Sequence, residues 1–173
     1  MSTTLHVNVL SKQSINMAIR RLNEYQKEVE TKTIELAQRL TDLGAEIARI
    51  KITEMDAVDT GELLSGVGGY FDPVLNIGYI QVTSDHAAFV EFGTGVVGQA
   101  NPHKNGEYLS KASWGYATGS KIFTTKDGKT GWIYPTDDGG FRFTEGMSSR
   151  PFMYETAQEL GKRFEQIARE VFA

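Results

Sequence analysis

Gly93-Thr94-Gly95-Val96-Val97-Gly98 has the G-x-G-x-x-G spacing with which a tight turn can bring backbone N–H groups up to a pyrophosphate. That chemistry needs the turn to open a helix, with an acidic residue about twenty positions on to hold a ribose. Here Asn101-Pro102 follows at once, no helical pattern begins and no acid stands at that distance, so the spacing predicts a turn that lets two backbones pass closely. Asp137-Asp138, with His103 or Asp127, are donors on which a metal ion could draw, but a hard cation wants several oxygens converging on one point. Acids at hairpin tips are more often solvated. His6, His86 and His103 have no short ligand spacing, and neither metal nor cofactor is expected.

Glu91 stands among Phe89, Val90 and Phe92, which predicts a partly buried carboxylate. Such a group needs donors, and the Thr94 hydroxyl and nearby backbone N–H groups are placed to supply them. A catalytic role would need a second group with a tuned pKa, and no partner is visible in the sequence. Trp114, Tyr116, Trp132, Tyr134, Phe141 and Phe143 could stack on a sugar or a base, yet alternation along strands reads more simply as half core and half cover. With no Ser–His–Asp order, phosphate loop or histidine-pair helix, the chain reads as non-enzymatic.

The elements that must carry these residues follow from periodicity and from glycine. Leu5, Val7 and Val9 alternate with polar neighbours, predicting a short strand. A helix is then expected from about Ser11 to about Asp56, broken near Gly44 if it packs wholly on its own domain. Ile15, Leu22, Val29, Leu36, Leu43 and Ile50 recur every seven residues, and Ile19, Leu40 and Ile47 add a second position that Gln26 and Thr33 interrupt. Over some forty residues such a helix reaches about 60 Å, longer than a small domain can cover. Part of the seam should therefore meet a partner, and Leu22, Val29, Leu36, Leu40, Leu43 and Ile47 are the expected interface. The alternative is a helix packed lengthwise on its own domain.

Two strands are expected between Leu63 and Ser84, joined near Asp72-Pro73 and sandwiched because both faces are apolar. Ser84 or Asp85 can cap a single helical turn from His86 to Phe92, stopped by Gly93. Residues 121–144 read as a three-stranded meander turning at Asp127-Gly128 and Asp138-Gly139-Gly140. A last helix opens with Pro151 in its first turn, with Met153, Ala157, Leu160, Phe164, Ile167 and Val171 as its apolar stripe.

The fold expected is α+β: a long N-terminal helix, a small, mostly antiparallel sheet with a hairpin insert, and a C-terminal helix packed on the sheet. Residues 1–57 would form the strand and long helix, and 58–173 a compact α+β unit with its insert at about 96–145, one structural domain overall. Of 18 glycines only Gly44 and Gly161 lie outside residues 57–149, which sets the sheet-forming middle apart from the helical flanks. The net charge of −4 lacks the basic excess of a general nucleic-acid binder. The absence of cysteine excludes disulfides and thiolate chemistry. No signal peptide or apolar run of about 20 residues is present, so neither export nor a membrane partner is expected.

Four segments resemble one family. Val58-Asp59-Thr60-Gly61-Glu62-Leu63, His86 to Gly95 (containing Glu91, Phe92, Gly93, Thr94 and Gly95), Gly131 to Met147, and Ser149 to Leu160 (opening Ser149-Arg150-Pro151-Phe152) are similar to segments of the tailed-bacteriophage neck and tail-completion family, whose type member is the tenth gene product of a lambda-like siphophage. The serine expected after Asp-Thr-Gly stands one residue early, as Ser65. The resemblance implies a non-enzymatic virion or assembly protein that joins head to tail or completes the tail. It implies self-association, with a ring as one form, docking to other neck or tail proteins, and no sequence-specific nucleic acid. Its place would be the host cytoplasm during assembly and then the virion. The alternative function is a binding module whose aromatic meander recognises a glycan or other surface ligand.

Overall fold

The computed structural model describes residues 4, 6–57, 61–106, 122–136 and 138–173; Asp59, Thr60, Trp114, Tyr116 and Asp137 lie outside them. The fold is α+β, and one helix organises it. Helix α1, Lys12–Glu54, runs unbroken for 43 residues, about 64 Å at about 1.5 Å per residue. Ser11 caps it, its hydroxyl accepting from Ser14 N at 3.3 Å. The strand expected at Leu5–Val9 is corrected: residues 6–8 form no ladder. Alternation makes a strand only where a partner edge exists, and here Asn8 folds onto the helix start, its N–H donating to Ser14 Oγ at 2.9 Å.

The first strand begins later than expected, because Glu62–Ser65 form a single helical turn, α2. Strands β1 (Val67–Asp72) and β2 (Ile77–Val82) then pair antiparallel, Val67 opposite Val82 and Asp72 opposite Ile77. The Asp72 carboxylate accepts from the Val74 and Leu75 N–H groups and fixes the turn. The hairpin is covered on one face only, which corrects the expected sandwich. Gly69, Gly78 and Ile80 face α1, while Tyr70 and Tyr79 stack on the open side with centroids 5.5 Å apart.

Close approach explains the covered face. A Cβ on Gly78 would collide with Thr41, and one on Gly44 with Ile80, so small residues at the crossing let strand and helix touch. The final helix, α5 (Phe152–Phe172), lies antiparallel to the C-terminal half of α1: Lys51 feels the carboxylates of Glu155 and Glu159, and Leu160 reaches Gly44. Ala45, Ala48, Ile52, Ala57, Leu63, Val67, Val90 and Phe152 form the core where α1, the hairpin and α5 meet. The stripe expected on α5 is shifted: Phe152 and Thr156 are buried, whereas Ala157 and Phe164 are exposed.

Between hairpin and α5 come two short helices, α3 (Ala87–Phe92) and α4 (Gly95–Ala100). The second corrects the expectation that no helix follows the glycine turn. A separate antiparallel sheet has the order β3 (Phe123–Thr124), β4 (Thr130–Pro135), β5 (Phe141–Thr144), turning where expected. Strand β6 (Gly146–Met147) bridges back to Thr94 and Gly95.

Candidate functional site

The segments His86 to Gly95 and Ser149 to Leu160 meet. Glu91, on α3, is buried, and its carboxylate turns toward the start of α5. Oε2 accepts from Met153 N at 2.9 Å, and Oε1 accepts from Tyr154 N at 3.0 Å and contacts His103 Nε2 at 3.1 Å. A helix leaves its first N–H groups without intrahelical partners. Pro151 sits at the N-cap and provides no side-chain acceptor, so α5 receives its cap from a residue sixty positions earlier. The remaining donors of the first turn are also placed, Phe152 N on Arg150 O and Glu155 N on Pro151 O. A carboxylate here is favoured by the helix dipole as well as by its hydrogen bonds.

His103 is held as firmly. Its Nδ1 accepts from Asn105 N at 2.9 Å, so Nε2 bears the hydrogen and donates to Glu91. Phe92 and Tyr154 flank the ring, with centroids 5.2 and 5.4 Å away. A cleft of about 410 Å³ opens beside the pair, lined by Val82, Ala88, Phe92, His103 and Tyr154 among others. Both carboxylate oxygens and both ring nitrogens have protein partners.

The glycine turn completes the latch. Gly93 (φ 78°) and Gly95 (φ 60°) take backbone angles that other residues rarely adopt. A Cβ at Gly93 would lie 2.7 Å from Ser149 N, and one at Gly95 2.6 Å from Glu145 O. The chain at 145–149 thus packs directly on the glycine turn, and Trp132 closes over Gly95. Ser149 Oγ donates to Glu91 O at 2.6 Å, and Arg150 N to Val90 O at 2.8 Å. The Thr94 hydroxyl, expected to serve Glu91, instead accepts from Met147 N at 3.2 Å. Outside the latch, the Lys104 ammonium hydrogen-bonds Glu155 and holds that carboxyl below its ordinary range.

Glu91, Gly93, Gly95, Arg150, Pro151 and Phe152, read in the sequence as family-motif or structural residues, meet here with His103, which the sequence offered only as a metal donor. Only the requirement that a buried carboxylate find a donor pointed to it. Phe152 is the largest fully buried side chain among the described residues, at 1% exposure. Gly61, at φ 83°, precedes α2 and takes no part in the latch. Asp138 is engaged within its own turn by Thr136 and Gly140, and the Thr136 hydroxyl holds it below the usual carboxylate range. Among the described residues no three His, Asp or Glu side chains converge on a metal position. Trp132 is buried, so it does not join Tyr134 in an exposed stacking face.

The expected interface residues divide. Ile47 is corrected: at 3% exposure it belongs to the protein's own interior. Val29, Leu36, Leu40 and Leu43 are half-buried, and Leu22 stands 54% exposed. Among the described residues no helix is long and apolar enough to cross a membrane. No family model, no curated protein and no solved structure matches this chain.

Proposed function

We propose that this protein is a non-enzymatic assembly component of a tailed bacteriophage, acting at the neck in head–tail joining or tail completion through self-association and docking to neighbouring neck or tail proteins. The observation that carries the reading is the overhang of α1. Its N-terminal half extends past the end of α5 with Ile15, Met17, Ile19, Leu22 and Tyr25 in solvent. A helix that outruns its domain and keeps an apolar stripe is suited to contact another subunit. The latch supports the same reading, because the two segments that most resemble the neck family are tied together by hydrogen bonds within the chain. The protein would assemble in the host cytoplasm and remain in the virion.

The test is electron microscopy of particles made when the gene is deleted from its parent phage, with complementation as control. DNA-filled heads lying apart from tails, or tails of abnormal length, are expected. Normal joined particles that merely adsorb poorly would overturn the proposal and favour ligand binding.

A further inference from the structure

The β1–β2 hairpin leaves one row of backbone groups open. Thr83 N donates to Gly66 O at 3.1 Å, and the bonds of an antiparallel ladder alternate from there. Gly68–Gln81, Tyr70–Tyr79 and Asp72–Ile77 are therefore the bonded pairs, and the N–H and C=O groups of Gly78, Ile80 and Val82 point away from β1. Among the described residues none of these outward groups takes a hydrogen bond. On the other edge Val67 O already accepts from Arg49 Nη2 at 2.6 Å. β2 is also the strand nearer α5: Ile80 and Leu160 converge over Gly44, and Val82 and Met153 line the same cleft. The helix layer is thus two helices wide, and the sheet above it only two strands wide. On the α5 stripe that holds Leu160, Ala157 is exposed and Phe164 is 50% exposed. One more strand beside β2 would take the open backbone groups and cover that stripe.

The same chain carries a strand pattern without an edge. Leu5, Val7 and Val9 alternate with polar residues, and Val7 is 43% exposed. Asn8 gives its N–H to Ser14 Oγ at 2.9 Å, and its C=O accepts from Ser11 N at 3.1 Å. Successive residues of an extended chain aim their backbone groups to opposite sides, so those of Val7 face away from this cap. Among the described residues they have no partner. The segment cannot reach its own β2. From Lys12 to Gly44 the helix rises about 48 Å, whereas residues 5–11 span at most about 25 Å.

We infer that residues 5–9 of one copy add to the outer edge of β2 in a second copy, as an antiparallel strand with Val7 opposite Ile80. The inference rests on the self-association proposed above and names its contact. The direction follows from the chirality of extended backbone. In β2 the residues with outward backbone groups, Gly78, Ile80 and Val82, turn their Cβ side toward the helices. An added strand must aim the backbone of Val7 at that edge and its side chain at the same helices. Only a strand running opposite to β2 does both. Val7 then lies over the α5 stripe, while His6 and Asn8 join Tyr79 and Gln81 on the open face. The overhang of α1 is the arm that carries the segment to the neighbour.

The chain contains no cysteine, so introduced thiols report on this contact alone. Full-length His6→Cys protein is mixed in turn with Tyr79→Cys, Gln81→Cys or Thr83→Cys protein, all at exposed positions, and oxidised. Covalent dimers are read on non-reducing gels. Facing residues of a non-bonded antiparallel pair lie about 4.5 Å apart, within reach of a disulfide. The His6 and Gln81 positions are expected to cross-link most. A maximum at Tyr79 or Thr83 slides the strand by two residues and still supports its addition to β2. Cross-linking at none of the three overturns the inference. So does Gln81→Cys protein that links only to itself, which would pair β2 with β2, and so does a monomer at every accessible concentration. Val7→Pro removes the N–H aimed at β2 and is expected to weaken association at least about ten-fold with an unchanged thermal midpoint. His6→Pro removes one aimed at solvent and should weaken it less than about two-fold; equal effects of the two would overturn the inference. No cross-link, with separated heads and tails in the deletion phage, would remove this contact and leave the neck role standing. A cross-link with normal particles would do the reverse.

Discussion

The latch around Glu91 and the free half of α1 solve opposite problems. At the latch a charged group, a histidine and a helix end are brought together, and each finds its partners within the chain. Along the free half there is little polar demand, but an apolar stripe has no partner among the described residues. Burying Glu91 is tolerable only because three donors meet it, whereas exposing Ile19 and Leu22 costs solvation that a second surface can recover. The first region therefore ties the fold together, and the second is the surface that the proposed assembly would use. Substitutions should separate stability from association accordingly.

The largest effects belong at the latch. Phe152→Ala empties a fully buried site, and a loss of about 3–5 kcal/mol is expected in urea unfolding. Glu91→Ala leaves the Met153 and Tyr154 N–H groups and His103 Nε2 without their acceptor, for a loss on the order of 3 kcal/mol. Ile19→Asp should change the unfolding midpoint by no more than about 0.5 kcal/mol while shifting the mass. If it unfolds the protein instead, the free half is part of the fold and the contrast collapses. Gly95→Ala forces a side chain into a left-handed backbone against Glu145 O, with an expected cost of about 1–3 kcal/mol.

A smaller effect of opposite sign sharpens the comparison. Gly161 lies inside α5 with open space where a Cβ would point, so Gly161→Ala should stabilise by roughly 0.5–1 kcal/mol and leave the mass unchanged. The smallest concerns Lys104 and Glu155. Because the folded carboxyl is held below its ordinary value of 4.5, its contribution is present above that pH and fades as pH falls below it. Lys104→Met should flatten the acid limb of the stability profile by less than about 1 kcal/mol, since the lysine is largely exposed. An unchanged profile would show that the pair adds nothing.

What the sequence made legible was local. The length of α1, the hairpin turn at Asp72-Pro73 and the meander turns at Gly128 and Gly139 follow from periodicity and from residues that suit tight turns. The strand expected at Leu5–Val9 failed because alternation carries no information about a partner edge. The helices at Glu62–Ser65 and Gly95–Ala100 were missed because they are too short to display a period, and the second is rich in glycine and valine. On α1 the heptad residues attracted attention, yet much of the buried face is made by Thr41, Gly44, Ala45 and Ala48, where small size is what matters. Glu91 was recognisable from its apolar neighbours. His103 was not, because its meeting with Glu91 depends on how the chain returns after Pro102.

The hydrogen bonds that Met153 N and Tyr154 N donate to Glu91 also tie off a long loop of chain. The entropy lost on closing a loop rises only logarithmically with its length, so doubling the enclosed segment adds about 0.6 kcal/mol. The segment between the two ends can therefore lengthen or shorten at small thermodynamic cost, provided that Trp132 still covers Gly95 and the 145–149 strand end still fills the glycine turn. The closure fixes the start of α5 while leaving the enclosed length of chain open to change.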